Sequence, residues 1–188
     1  MKIANLMFGK KRGGVEQAIV NYCLALRYAG HEATAFVRHG AAIIPTLKAA
    51  GIATVTLKAP HGWNLLARHR LQTMLSSYDR VILHGNRAGA LTHGLRRLPP
   101  TIAVAHSRFF KMHPHVRAII ALTAARAKSL GAQHHCATYV IPNLVEIPAM
   151  PQPPAQPSPP VVGFMGRLSH EKGLDLLIDA LALLRARG

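Results

Sequence analysis

Short apolar runs alternate with longer segments of helical periodicity along most of the chain. The first run, KIANLMF at residues 2–8, predicts a buried strand, and residues 15–30 predict an amphipathic helix capped by Gly30. RAGALTHGLRR at residues 87–97 predicts a later helix. Runs such as VILH and IIAL are apolar on successive residues, which indicates strands covered by helices on both faces. The repeated order of strand and helix predicts an α/β fold with a doubly wound, Rossmann-like parallel sheet of about six or seven strands.

A proline-rich stretch interrupts this alternation. Seven of the chain's 13 prolines lie between Pro148 and Pro160. Because proline lacks the amide donor that helices and sheets require, the stretch predicts an extended linker. The predicted organisation is one domain at 1–147, the linker at 148–160, and the start of a second domain at 161–188.

The residues after the linker resume the pattern. VVGFMG at 161–166 predicts a strand, and residues 172–188 predict a helix whose apolar stripe includes Leu177, Leu181 and Leu184. One strand and one helix cannot cover their own apolar faces, so we expect a truncated second domain. We also expect this tail to pack against the first domain or against a second copy of the chain, forming a homodimer.

The charge balance is strongly basic. Lys and Arg number 23 against 7 Asp and Glu, for a formal net charge of +16. This excess favours phosphate-rich partners such as nucleic acid, an anionic membrane surface or phosphorylated small molecules. Aromatic residues make up only 5%, which argues against nucleic acid because single-stranded nucleic acids are usually bound through stacking. With no membrane-spanning run or secretory signal, and two cysteines expected as reduced thiols, the predicted compartment is the cytoplasm.

A glycine-containing loop at residues 9–14 follows the first predicted strand. Ligands bind open parallel sheets beyond the carboxyl ends of the strands. Gly13 and Gly14 allow backbone amides to approach a ligand phosphate at a helix N-terminus, although a tight strand-to-helix turn explains them equally well. Glu16, in the first helical turn, would repel a phosphate. We therefore expect Glu16 to point elsewhere or to bind a sugar hydroxyl.

A second basic segment, GRLSHEKG, spans residues 166–173. Arg167 ends the predicted strand and Lys172 begins the predicted helix. Two cations beside a helix N-terminus suit a diphosphate, whereas the alternative is a solvated basic turn.

The histidine groups do not have zinc-site spacing. A proline separates His113 from His115, and His134 and His135 precede Cys136 without a partner motif. We predict surface histidines in basic loops and no metal site.

Four segments in order resemble the large family of retaining GT-B glycosyltransferases. They are GGVEQ at 13–17, VAHS at 104–107, YVIPNLVEIP at 139–148 and GRLSHEKGLDLLIDALALL at 166–184, of which the last is the most specific. The resemblance implies two Rossmann-like domains facing a cleft, the first binding mainly the acceptor and the second the nucleotide-sugar donor. This chain is similar to the N-terminal half of such an enzyme and the first β-α unit of its second domain.

The resemblance also implies site residues. Gly13 and Gly14 form the loop that approaches the donor phosphate and the acceptor. Arg167 and Lys172 bind the diphosphate leaving group, whose developing negative charge fixed cations stabilise. His106 matches a histidine near the transferred sugar, although a histidine at a strand end is as readily an ordinary hydrogen-bonded residue.

Two departures from the family pattern bear on function. Leu144 follows Asn143 where the family usually has glycine. The family's paired glutamates, which contact the donor sugar and ribose, lie farther into the second domain than residue 188. Glu16 remains a candidate on the acceptor side, but we expect the chain to be inactive in sugar transfer by itself.

The predicted function is transfer of a sugar, with retention, from a nucleoside-diphosphate sugar to a glycan or lipid-linked acceptor. The resemblance suggests bacterial cell-envelope polysaccharide or lipopolysaccharide synthesis, with no cofactor or metal and no nucleic-acid partner. The basic surface suits peripheral attachment to anionic lipid at the inner face of the plasma membrane. The alternative is a non-catalytic basic module on a Rossmann scaffold that binds nucleic acid or acidic glycan.

Overall fold

The computed structural model describes residues 1–11, 13–59, 64–107, 110–145, 161–166 and 168–187. The chain divides into two compact units, Met1–Glu146 and Ile147–Gly188, and each is described by itself. The predicted linker at 148–160 and Arg167 lie outside the described residues.

Strands and helices alternate through the first unit, as the apolar pattern predicts. The strands are β1 (Lys2–Met7), β2 (Glu32–Arg38), β3 (Ala53–Leu57), β4 (Arg80–His84), β5 (Thr101–Ala105), β6 (Val116–Ala121) and β7 (Ala137–Val140). The helices are α1 (Gly14–Tyr28), α2 (Ile44–Ala49), α3 (Leu65–Leu75), α4 (Asn86–Thr92) and α5 (Ala124–His134).

The strands described here form one parallel sheet in the order β3-β2-β1-β4-β5-β6-β7. The order runs outward in both directions from the centre, so the topological switch point lies between β1 and β4. The predicted doubly wound, Rossmann-like α/β fold is confirmed. The carboxyl ends of parallel strands lie at the same edge of the sheet, and a switch point opens a crevice there.

The sheet is covered on both faces, which explains why its strands are apolar on successive residues. Alternate residues of β1 enter different clusters, since side chains of a strand point to opposite faces. Ala4 and Leu6 pack with α3, α4 and α5, whereas Met7 packs with α1 and α2. Ile3 joins a third cluster, which includes Tyr22 of α1 and Ile82 of β4.

The ends of α1 fit its sequence. Gly13 is the N-cap residue with an extended backbone, and no side chain caps the amides of the first turn. At the other end Gly30 has φ +78°, where glycine is strongly favoured over other residues. The Gly30 amide donates to the Arg27 carbonyl and the His31 amide to the Leu26 carbonyl, so the predicted glycine stop is confirmed.

Two predicted elements differ from the structure. α4 ends at Thr92, short of the predicted 87–97, because His93 adopts an extended backbone and Gly94 has φ +68°. In the second unit residues 161–166 form no strand, because none of the described residues supplies a neighbouring strand to pair with. There a short 3-10 turn (His170–Lys172) precedes α6 (Leu174–Ala186).

Candidate functional site

A cleft of about 530 Å³ opens at the carboxyl ends of β1 and β4, where the topology places the switch point. Its walls come from the loop after β1, the first turn of α1, the end of β2 and the turn between β4 and α4. The lining residues are Met7, Phe8, Gly9, Lys10, Lys11, Val15, Glu16, Arg38, His84, Gly85, Asn86 and Arg87. Open α/β sheets bind ligands at this position.

Glu16 folds back over the loop that joins β1 to α1. A Cβ placed on Gly9 would collide with Oε1 of Glu16, and one on Gly13 would lie 3.0 Å from Oε2. The carboxylate therefore covers Gly9 and Gly13 at the N-terminus of α1. A Cβ on Gly14 would meet no atom within 4 Å. The position of the Glu16 carboxylate therefore requires a glycine at residue 9 but not at residue 14.

The rim of the cleft is basic. Lys10, Lys11, Arg38 and Arg87 line it, and Glu16 is the one carboxylate among its described lining residues. Arg87 donates from Nη1 to the Phe8 carbonyl at 2.9 Å, which holds its guanidinium beside the end of β1. In the part of the chain that the structure describes, ion pairs do not join these cations to carboxylates. The cleft is therefore suited to a ligand that carries negative charge.

Two histidines meet beside the cleft, at the ends of β4 and β5. Nδ1 of His84 lies 2.9 Å from Nε2 of His106. Nε2 of His84 in turn lies 3.4 Å from Oδ1 of Asn5, and Nδ2 of Asn5 donates to Sγ of Cys23 at 3.4 Å. A line of polar contacts thus runs from α1 through β1 and β4 to β5.

Both histidines are neutral near pH 7 because they are buried. Burial, with the neighbouring His106 adding to it, lowers the pKa of His84 to about 3. Burial alone lowers the pKa of His106 to about 4. The ring of Tyr22 packs edge-on against His84 at a centroid separation of 4.9 Å. The two imidazoles share one hydrogen bond and do not contribute positive charge to the cleft.

The prediction that His113 and His115 are surface histidines is wrong. Both are half-buried and pack against His93, at ring-centroid separations of 5.4 Å for His113 and 6.5 Å for His115. Residues 110–115 pass directly over α4, and a Cβ on Gly89 would collide with the His113 ring. Spacing along the chain did not reveal this packing partner, which comes from another element.

The three rings do not assemble a metal site in this structure. Within the described residues, no three His, Cys, Asp or Glu side chains are placed to hold a metal ion together. Nε2 of His115 lies 3.0 Å from Oγ1 of Thr92, whose hydroxyl also reaches the Ala88 carbonyl at 2.9 Å. Burial, with the nearby His113 and His93, lowers the pKa of His115 to about 4.

The remaining predicted site residues lie in the second unit. Lys172 is exposed in the 3-10 turn just before α6, and Gly173 follows it at φ +66°. Arg167 lies outside the described residues. The role of Arg167 and Lys172 in binding a diphosphate thus stays a prediction.

The turn at Leu144 has a structural explanation in the first unit. Its carbonyl accepts a hydrogen bond from Nδ2 of Asn21, and its side chain packs beside Tyr22 and Ile3. The Leu144 carbonyl and side chain together therefore anchor the segment after β7 to α1.

Sequence reasoning named His106, Glu16 and Gly13 as candidates and did not name His84 or Asn5. Asn5 is fully buried inside the apolar run KIANLMF, where a polar side chain requires a hydrogen-bond partner. His84 ends the apolar run VILH and is followed by Gly85 at φ +78°. The position of His84, between a buried strand and a glycine turn, is the sequence feature that could have indicated a functional residue.

Together the sheet order, the cleft and the strand-end histidines define a Rossmann-like α/β domain with a ligand cleft at its switch point. Neither a protein-family model nor a curated protein matches the chain. None of the helices within the described residues has both the length and the hydropathy of a membrane-spanning segment.

Solved structures with the same fold include glycosyltransferase half-domains. Anabaena HepE (Alr3699), solved with UDP and glucose and with UDP-glucose, gives TM-scores of 0.61 and 0.63 at 17% and 18% identity, covering 76% of this chain and 44% of HepE. The lipopolysaccharide outer core galactosyltransferase WaaB gives 0.57 at 16% identity, covering 83% and 49%. Acinetobacter baumannii MurG gives 0.51 at 12% identity, covering 64% and 41%. The chain spans less than half the length of each, and the likeness concerns the fold.

Proposed function

We propose that this chain is the acceptor-side part of a glycosyltransferase that uses a nucleoside-diphosphate sugar. The observation that carries the proposal is the cleft at the switch point, which combines a basic rim with the neutral His84, whose Nδ1 lies 2.9 Å from Nε2 of His106. A basic rim suits phosphate oxygens, and neutral imidazoles suit sugar hydroxyls. The shared fold with HepE, which is solved with UDP-glucose, supports the same assignment.

The reaction breaks the bond between the donor's anomeric carbon and its phosphate oxygen. A bond from that carbon to an acceptor oxygen forms, and the acceptor's hydroxyl proton is passed to the leaving phosphate. Retention at the anomeric carbon is proposed from the motif resemblance. Arg167 and Lys172 would stabilise the diphosphate as its charge develops, without a metal or another cofactor.

Glu16 belongs to the acceptor side of this proposal. Its carboxylate already covers Gly9 and Gly13, so a phosphate at that point would meet an anion at close range. A carboxylate accepts hydrogen bonds from sugar hydroxyls without repulsion. We therefore assign an acceptor hydroxyl to Glu16 and place phosphate contacts of the first unit at the basic rim.

The domain organisation is part of the proposal. Residues 1–147 form the acceptor-side domain, residues 148–160 a linker, and residues 161–188 the start of the donor-binding domain. A glycan or lipid-linked acceptor of the bacterial cell envelope, reached from the cytoplasmic face of the membrane, fits the basic rim because such acceptors are often phosphorylated.

Ligand binding tests the proposal directly. UDP, UDP-glucose and a single-stranded oligonucleotide are compared by calorimetry and by the rise in melting temperature, each at two salt concentrations. In a protein that carries a complete donor domain, the proposal expects saturable binding of UDP-glucose that is weakened when Arg38 and Arg87 are both replaced by Ala. Replacing the exposed Lys48 and Lys128 is the matched control for net charge. Strong, salt-sensitive oligonucleotide binding without nucleotide-sugar binding would favour the non-catalytic basic module.

Membrane attachment is tested separately. Vesicles with phosphatidylglycerol should bind the protein, and neutral phosphatidylcholine vesicles should not, since each basic residue near an anionic surface contributes about 1 kcal/mol. Equal partitioning into both vesicle types would contradict peripheral attachment through the basic surface.

A further inference from the structure

The polar line from Cys23 to His106 determines where the hydrogens of two imidazoles lie. It crosses three neighbouring elements of the sheet and α1, with Asn5 and His84 both buried. Groups buried to this extent keep their hydrogen-bond partners because an unmatched donor or acceptor costs about 1–3 kcal/mol. The position of each ring hydrogen can therefore be assigned in turn, starting from Asn5.

Asn5 sets the direction. Its Nδ2 donates to Sγ of Cys23, and burial raises the pKa of that thiol to about 12, so the sulfur carries its own proton. Oδ1 of Asn5 then faces Nε2 of His84. A carbonyl oxygen only accepts, so Nε2 of His84 must be the nitrogen that carries hydrogen.

The same matching of donors with acceptors assigns the hydrogen of the His106 ring. A neutral imidazole has one donor and one acceptor nitrogen. With its hydrogen on Nε2, His84 has a lone pair on Nδ1, which accepts from Nε2 of His106 across 2.9 Å. His106 then has its hydrogen on Nε2 and a lone pair on Nδ1. Among the described residues, Nδ1 of His106 has no hydrogen-bond partner.

The register of the strands explains why the two rings meet. His84 pairs with Val104 in the parallel ladder, and His106 lies two residues beyond Val104. Val104 lies on the face that α1 covers, and the turn after β5, in which the His106 amide donates to the Val104 carbonyl, brings the His106 ring to His84. Tyr22 of α1 packs edge-on against His84 and keeps the ring from turning freely.

We propose that His84 is a positioning residue that fixes His106 as a hydrogen-bond acceptor, with the lone pair of Nδ1 offered to a sugar hydroxyl. The sugar ligand rests on the proposed function, whereas the tautomers do not. His106 so held accepts from a hydroxyl group, and it does not donate to a phosphate oxygen. The neutral His106 would therefore bind the sugar, and the cationic rim of the cleft would bind phosphate.

Nitrogen NMR tests the tautomers without any ligand. In protein labelled with ¹⁵N-histidine, ring nitrogen shifts at pH 7 separate protonated from unprotonated positions. We expect hydrogen on Nε2 of both rings and a scalar coupling between Nε2 of His106 and Nδ1 of His84 through their hydrogen bond. Hydrogen on Nδ1 of His106, or no coupling between the rings, would overturn the proposal.

Two variants at His84, made in a protein that carries a complete donor domain, test its positioning role with UDP-glucose as the probe. In His84→Gln the side-chain oxygen still accepts from His106 and the amide still donates to Asn5, so affinity should stay within about threefold. In His84→Leu both partners are lost, and affinity should fall by about tenfold, which corresponds to one hydrogen bond. Equal affinity in the Leu variant, or equal losses in both variants, would overturn the positioning role.

Tyr22→Phe is the matched control beside the same ring. Among the described residues the buried Tyr22 hydroxyl has no hydrogen-bond partner, so its removal leaves the polar line intact. This variant should keep the wild-type nitrogen shifts and affinity. If the wild-type protein with a complete donor domain binds no UDP-glucose while the NMR assignment holds, the proposed function fails and the tautomers stand. If the Leu variant does not fold, the wild-type NMR measurement and the Gln variant still decide the proposal.

Discussion

Nδ1 of His84 lies 2.9 Å from Nε2 of His106, so side chains as well as backbone join the ends of β4 and β5. The pair stands at the side of the cleft where the strand order reverses. Both rings are neutral through burial, and this has a measurable effect on stability as the pH changes.

Stability should decline as the pH falls from 7 to 5. The folded pKa is about 3 for His84 and about 4 for His106 and His115, below the ordinary 6.5, so the unfolded chain takes up protons first. The stabilisation is complete above pH 6.5 and is lost progressively down to the folded pKa values. Urea unfolding at each pH should show a loss on the order of a few kcal/mol between pH 7 and 4.

Matched variants separate these buried rings from general charge repulsion. His84→Gln should flatten the pH dependence, whereas replacing the exposed His39 by Gln should leave its slope unchanged. A slope that is the same in wild-type protein and in the His84 variant would contradict this origin of the pH dependence.

Gly9→Ala should disturb the cleft. The new methyl group would collide with the Glu16 carboxylate, which must then leave its place over the loop. We expect weaker acceptor binding and a lower melting temperature. Gly14→Ala is the control, since its Cβ meets nothing within 4 Å and alanine suits a helix better than glycine. Equal binding and equal melting temperatures in the two variants would contradict the proposed role of the Glu16 carboxylate over the loop.

Gly14→Val tests the approach of a ligand to the backbone. The space around Gly14 is open within the protein, so this variant should fold. If the ligand approaches the backbone there, as the motif predicts, the added side chain should weaken ligand binding or lower activity. Calorimetry with UDP-glucose on a protein that carries a complete donor domain decides this point, and unchanged affinity would favour the interpretation of a simple turn.

Arg167→Ala and Lys172→Ala should each slow sugar transfer in a protein that carries a complete donor domain. Loss of a charge that stabilises a leaving group typically lowers turnover by about tenfold to a thousandfold. Exposed Arg185, on α6, offers a matched control for the loss of one cation. Wild-type rates in both variants would remove the two residues from the site.

The chain by itself should show no multiple-turnover transfer, and it should self-associate through α6. No residue of α6 is buried, and Leu176, Ile178, Leu183 and Leu184 are each more than half exposed. An apolar stripe left in water costs about 25 cal/mol per Å². Light scattering should therefore report a dimer, and Leu181→Glu with Leu184→Glu should return it to a monomer. A monomeric wild-type protein would contradict the expected self-association, and clear turnover would contradict the expected inactivity.

Part of the candidate site could be read from local pattern. Gly13 and Glu16 were recognisable because a loop after a strand and before a helix has a fixed place in an open sheet. His106 was recognisable from a motif. His84 was not, because its significance depends on a partner in another strand, and His113 and His115 were misassigned for the same reason.

The amino-acid sequence by itself determined the order and type of the elements in the first unit, because hydrophobic periodicity and glycine stops act over a few neighbouring residues. It also determined the basic charge, which is a sum over residues. Only the tertiary structure decided that Glu16 lies over Gly9 and that His84 meets His106. Those contacts depend on the register between β4 and β5 and on how α1 packs on the sheet, and both are set by burial over long sequence separations.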